Sequence, residues 1–233
     1  LIKKAYNKFI KKKFKYIFTV LLYFLYQISF LPILISELGF NLYKLPKPYK
    51  IFFLGLTDLV YIILILIMFK KEFINGINDL KKNLNSRINI ATKCWLIGCI
   101  IMFTSSIIIS LIVKKDVSTN EELVRESIKL APIYMLFTCS IVAPIFEEMV
   151  FRNALNNFIK KKWLFIFLSG FTFGLLHVIG SYNNILDFLY IIPYGAMGSS
   201  FAYLLTKTKN ITLPILVHMI HNTILVITQI IGG

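Results

Sequence analysis

The chain has 233 residues, 57% of them hydrophobic and 16% charged, with a mean hydropathy of +0.73. Soluble domains carry roughly 25% charged residues, so a soluble globular enzyme is excluded, and no stretch is polar enough for a soluble domain or a disordered linker. The net charge of +15, from 26 Lys and Arg against 11 Asp and Glu, would suggest nucleic acid in a soluble protein. Here the basic residues sit between apolar runs, at Lys11 to Lys13, Lys70 and Lys71, Lys81 and Lys82, and Lys160 to Lys162, which is how loops are held against anionic lipid. Membrane lipid is therefore the expected partner, and nucleic acid is not.

Seven runs approach the about twenty apolar residues needed to cross roughly 30 Å of hydrocarbon. They lie at approximately 16–36, 51–69, 94–113, 130–151, 163–180, 186–205 and 211–231. The first follows a basic segment but lacks a small-x-small cleavage site, so it reads as a retained transmembrane helix. Cys94, Cys99 and Cys139 are odd in number and form no CxxC, and they read as packing residues. In the sixth run Gly195 and Ser199 lie four apart with Gly198 beside them, which lets backbones approach closely and places that span inside a bundle. Alternate connections carry seven, six, four and two Lys and Arg, against three, four and none in the others. That asymmetry puts the N-terminus in the cytoplasm of a multi-pass cell-membrane protein.

The chain has three histidines, and His177, His218 and His221 all fall in predicted spans, where ionisable groups are costly and usually mark function. Glu147, Glu148 and Arg152 join them at the end of the fourth run. On a helix advancing about 100° per residue, Glu148 and Arg152 are i and i+4 and can pair, while Glu147 points elsewhere without a local counter-ion. A carboxylate in a dry environment can act as a general base or acid; the alternative is that both glutamates mark the membrane interface. If Lys160 to Lys162 form the turn, the antiparallel fifth helix brings position 147 level with about 174, within one turn of His177, so Glu147 and His177 can share a water. His218 and Asn222, at i and i+4, share a face, and both can donate to an oxyanion. His221 lies about 60° around the helix from His218 and either faces the same cavity or bonds a neighbouring backbone. Glu147, His177 and His218 also make up a His2Glu set with an open position, although no HExxH is present. A zinc-bound water and a water activated directly by carboxylate and imidazole both fit these residues.

The series Glu147-Glu148-x-x-x-Arg152, Phe173-x-x-x-His177 and His218-x-x-x-Asn222 resembles the three-motif signature of the CPBP family of intramembrane proteases, also called CAAX prenyl protease type II or Abi proteins. Gly195, Gly198 and the approach Lys209-Asn210-Ile211-x-x-Pro214 add to the likeness, which covers about residues 130 to 225. The resemblance implies an all-α polytopic transmembrane bundle of about eight helices, against the seven runs counted here. A catalytic core over 130–233 would be packed with variable N-terminal helices over 1–129 as one membrane domain. It implies an intramembrane endopeptidase acting on a membrane-associated peptide or protein. Glu147 and His177 would activate water, His218 and Asn222 would stabilise the oxyanion, and Glu148 and Arg152 would support the site. The glutamate-dependent mechanism needs no cofactor, whereas members have often been labelled metalloproteases, which leaves zinc open. Eukaryotic members trim prenylated CaaX proteins. The richness in Lys, Ile and Asn points to an AT-rich bacterial genome, so bacteriocin processing or self-immunity is the expected setting. Two other readings stand beside it: a non-enzymatic immunity or peptide-binding protein using the same cavity, and a cation or proton transporter built on intramembrane Glu and His.

Overall fold

The protein is described by a computed structural model that covers residues 2–232, with side chains described for 13–42 and 44–232. All regular structure among these residues is helical. We number the helices α1 (Ile2–Gln27), α2 (Phe30–Glu37), α3 (Lys47–Met68), α4 (Lys70–Val113), α5 (Thr119–Leu130), α6 (Pro132–Phe158), α7 (Lys162–Ile179), α8 (Ile191–Thr208) and α9 (Thr212–Gly232). A short 3-10 turn over Ile185–Tyr190 leads into α8. Among the described residues six helices are long and apolar enough to cross a membrane, or seven if the bent pair α1 and α2 is one span. The fold is a polytopic transmembrane helical bundle.

The first apolar run is not one straight helix. Lys13–Gln27 and Phe30–Glu37 meet at 64°, with Ser29 in the left-handed region at φ 55°. Pro32 explains the break: a proline has no N–H for the carbonyl four residues back, here Ile28, and its ring clashes with that carbonyl. The 44-residue α4 is interrupted at Asn83, whose φ and ψ of −124° and 28° are not helical; its first half is polar, and the spanning part is the apolar half from about 94 onward. Helix α5 is amphipathic and well capped. Ser118 Oγ accepts the Glu121 N–H at 3.1 Å, Glu121 and Glu122 occupy the first turn and Lys129 the last, each complementing the helix dipole.

The main core forms where α1 and α3 lay aromatic side chains on α6. Tyr26 stacks on Phe146 at 5.1 Å, and Tyr23 meets Phe151 edge-on at 5.7 Å; Phe165 and Phe173 of α7 and Ile215 of α9 close the same cluster. The outer face of α4, with Ile97, Ile100, Phe103, Ile107 and Leu111 exposed, is left for lipid. Helix α8 packs against α7, α4 and α9, and its glycine face is matched by a pair on α7 that the sequence reading did not single out, Gly170 and Gly174. A Cβ on Gly170 would lie 2.6 Å from Gly195 O, and one on Gly174 would lie 2.5 Å from Ile191 O. Arg152, counted above with the loop cations, is fully buried within the bundle and leaves that count.

Candidate active site

The site is built on α6, which is not a uniform α-helix. Thr138–Val142 and Glu148–Ala154 are π-helical turns on either side of Ala143–Glu147, so the 100° step used for Glu148 and Arg152 does not hold throughout this segment. Pro144 accounts for the first π turn, since its ring would clash with the carbonyl of Ser140 and it has no N–H to give. The Ala143 N–H reaches back to Thr138 O, five residues away, and the π partner of Cys139 O would be Pro144. Cys139 O is thereby left without its backbone donor, and Asn222 supplies one: Nδ2 donates to it at 2.9 Å. At the second π turn the Leu155 N–H goes to Val150 O and Arg152 O, leaving Phe151 O without its α-helical partner. There the fully buried Ser169 of α7 donates from Oγ at 2.7 Å. Each π turn is thus sealed by a side chain from another helix, as buried carbonyls require, and π turns of this kind recur at functional sites.

Behind the site lies a fully buried ion pair. Glu148 Oε1 is 3.1 Å from Arg152 Nη1 and 2.9 Å from His218 Nδ1. The guanidinium donates from Nη2 to Gly198 O at 3.1 Å and is boxed by aromatic faces, with Cζ 4.4 Å from the Phe173 ring centroid and 5.5 Å from that of Phe201. Gly198 makes room for this packing, because a Cβ would sit 3.0 Å from Gly170 Cα and 3.2 Å from Arg152 Nη2, close enough that a neighbour would have to give by a few tenths of an ångström. A buried charge needs this degree of pairing, and the result is a rigid wall that sets the His218 ring. The other face of that ring lies over Phe201, with centroids 4.9 Å apart.

In front of this wall is a cavity of about 530 Å³. Glu147, His177, His218, His221 and Asn222 all line it, whereas Glu148 and Arg152 do not. Glu147 is 9% exposed, and its Oε2 lies 3.6 Å from His218 Nε2, an ion-pair distance rather than a hydrogen bond. His177 Nδ1 is 2.9 Å from Phe173 O. A carbonyl only accepts, so Nδ1 carries the proton and the neutral ring keeps Nε2 as an acceptor. The ring is clamped between Phe173, at 4.4 Å, and Tyr194, which stacks on it at 4.6 Å. Tyr194 Oη accepts from Asn120 Nδ2 at 3.2 Å and bonds Ser118 Oγ at 2.8 Å, so the N-terminal cap of α5 braces the residue that braces His177.

The sequence reading did not include Tyr194, Ser169 or Trp95. Tyr194 lies one position before Gly195 and could have been sought on the small-residue face of α8; the other two act across contacts that leave no local signature. The arrangement offers a carboxylate, an imidazole acceptor and amide and imidazole donors around one cavity, a set able to activate water and hold an oxyanion. Among the described residues no three His, Cys, Asp or Glu side chains gather closely enough to hold a metal ion. Glu147, His177 and His218 share the cavity without forming a ligand cluster.

Residues 129–224 match the family model for type II CAAX prenyl endopeptidase Rce1-like proteins. The chain is 34% identical over 116 residues to the "Putative membrane peptidase YdiL" of Bacillus subtilis, covering 48% of this chain and 44% of the relative. It is 29% identical over 232 residues to the "Membrane-embedded CAAX protease MroQ" of Staphylococcus aureus, covering 92% of this chain and 88% of the relative. The match thus spans less than half of the Bacillus protein and most of the staphylococcal one. No solved structure matches. The matched segment contains the π-helical α6, Glu147 and the three histidines of the cavity, and over that segment the chain is similar to the type II CAAX prenyl endopeptidase Rce1-like family of membrane proteins.

Proposed function

We propose that the protein is an intramembrane endopeptidase that hydrolyses peptide bonds of a membrane-associated peptide or protein. The observation that carries this reading is the meeting of Glu147, His177, His218 and Asn222 on one cavity inside the helix bundle. Glu147, at the cavity edge, takes a proton from a water that His177 Nε2 orients. The water oxygen attacks the peptide carbonyl carbon, and Glu147 then returns the proton to the departing amine. His218, which gives its Nδ1–H to Glu148 and offers an Nε2–H in its imidazolium form, and the second N–H of Asn222 face the developing oxyanion. Glu148 and Arg152 hold His218 without touching the substrate.

In the purified protein, Glu147→Gln and His177→Ala should each abolish cleavage of a susceptible quenched-fluorescent peptide while leaving thermal unfolding close to that of the unsubstituted chain. Undiminished cleavage by both variants overturns the reading. The mechanism uses the carboxylate directly and no metal; strong inhibition by chelator, reversed by zinc, would replace it with a metal-bound water.

The N-terminus is assigned to the cytoplasm, since the connections on that side keep the larger share of lysines once Arg152 is removed from the count. Cysteine labelling from either side of the membrane tests this. Within the substrate class, a membrane-active bacteriocin peptide suits a cavity lined mainly by apolar side chains. Loss of protection in Glu147→Ala cells supports cleavage, and protection that survives points to a binding-only immunity protein.

A further inference from the structure

The residue left open by the sequence, His221, has a defined chemical state in the structure. It is 6% exposed, lines the cavity beside His218 and Asn222, and lies within hydrogen-bond reach of Trp95 on α4: Trp95 Nε1 is 3.3 Å from His221 Nδ1, with the rings edge-to-face at 74°. An indole N–H can only donate. His221 Nδ1 is therefore the acceptor, the neutral ring carries its proton on Nε2, and among the described residues no protein group takes that proton up. The neighbouring donors are more heavily committed. His218 has Glu148 on Nδ1 and Glu147 near Nε2, and Asn222 spends one of its two N–H bonds on Cys139 O.

We propose that His221 is a catalytic residue of this site: it donates the Nε2–H, in the tautomer that Trp95 fixes, to the substrate carbonyl oxygen as that oxygen becomes an oxyanion. The inference rests on the peptidase reading above. Water oxygen bonds to the carbonyl carbon, the carbonyl π pair moves onto oxygen and is held by the His221 N–H, and the proton released to Glu147 leaves with the amine when the intermediate collapses. No proton is transferred through His221, so the ring must be a donor before substrate arrives. Trp95 touches no reacting atom and is a positioning residue.

The test uses the full chain in liposomes with two quenched-fluorescent probes, a farnesylated peptide ending in a CaaX sequence and an unprenylated membrane-spanning peptide. His221→Phe should lower kcat about 10²-fold, the effect of removing one oxyanion donor, with KM changed less than about threefold. His221→Gln, which restores an N–H, should recover part of the loss. Trp95→Phe should lower kcat by a smaller factor. In ¹⁵N-histidine spectra the His221 Nε2 signal should be of the protonated type in the unsubstituted protein and shift toward a mixture of tautomers in Trp95→Phe, which loss of packing alone would not produce. Cleavage lost in Glu147→Gln but kept within threefold in His221→Phe overturns this inference alone, whereas cleavage kept in Glu147→Gln overturns the reading beneath it. A proton found on Nδ1 of His221 overturns the inference whichever probe is used and whether or not the variants fold.

Discussion

Replacing Gly170 by alanine tests whether the close approach of α7 and α8 sets the site. The added Cβ would meet the side chain of Ser199, which can rotate away, but it would also lie 2.6 Å from Gly195 O and 3.0 Å from Ser199 N, and those are backbone atoms. An ordinary contact begins at 3.4 Å, so the helices must part by about 0.8 Å or one must rotate. Overpacking of this kind costs about 1–3 kcal/mol. His177 lies seven residues further along α7, about 10 Å at 1.5 Å per residue, on a helix that carries the displacement with it. A shift near 1 Å between His177 and Glu147 can lower the rate about 10²-fold. Unfolding in mixed detergent micelles and kcat on the same preparation read the two effects separately. Adding Ser199→Gly should not restore either, because the clash with Gly195 O remains. Gly55→Ala, at a helix position with nothing within 4 Å of the new methyl, should leave both near the unsubstituted values. If Gly170→Ala behaves like Gly55→Ala, the helices do not pack as described and the argument from proximity fails.

Three further outcomes follow from the same geometry. Ser169→Ala removes the donor that seals Phe151 O and should destabilise by about 1–3 kcal/mol, the cost of an unpaired buried acceptor; an unchanged unfolding curve would show that the second π turn needs no seal. Arg152→Met leaves the Glu148 carboxylate buried with His218 as its remaining partner and should cost about 3–5 kcal/mol, and the double variant Arg152→Met with Glu148→Leu should recover much of that loss. Outside the membrane, Arg87 holds Asp79 with two bonds of 2.8 Å, and Asn210 and Asn83 add one each. Mainly through the Arg87 bonds, this lowers the Asp79 pKa from 3.8 to about 2. A lowered carboxylate pKa contributes stability above the unfolded value that is lost as pH falls through the folded one. Melting temperatures of the unsubstituted chain and Asp79→Asn should therefore differ at neutral pH and converge between pH 3.8 and about 2; a constant gap would mean that Asp79 contributes by packing alone.

The spans were legible because a bilayer demands long apolar runs, and the small-residue spacing of Gly195 and Ser199 on α8 was legible because close helix packing requires it. The bend before α2 was in principle readable from Pro32, whose clash falls on Ile28 where the helix breaks. The first π turn has the same kind of signal in Pro144. The second has none in its own residues, since Ser169 seals it from a helix whose rotation the sequence leaves undetermined. Rotation also explains the partner of Asn222. The motif indicated that its side chain faces the site, but not that one of its N–H groups would be spent on Cys139 O, because that carbonyl is freed only by the π register of another helix. Cys139 matters here through its backbone, which thiol counting cannot reveal.

The family match begins at residue 129, yet the site it covers is not closed by that segment. Tyr23, Gln27, Met102 and Phe103, all N-terminal to it, form part of the cavity wall. Trp95 reaches the His221 ring. Asp58 of α3, 4% exposed, accepts from Tyr134 Oη at 3.0 Å and Thr138 Oγ1 at 3.3 Å. Thr138 opens the first π turn, and Cys139, held by Asn222, is the next residue. The turn that leads into Glu147 is therefore gripped from both sides, by an intramembrane carboxylate of the N-terminal half and by an amide of α9. Buried polar bonds of this kind are costly to leave half made, so α3 and α9 must both be docked before the turn can hold its irregular register. The chemistry of the cavity belongs to the C-terminal helices, and the geometry in which it operates depends on the N-terminal ones.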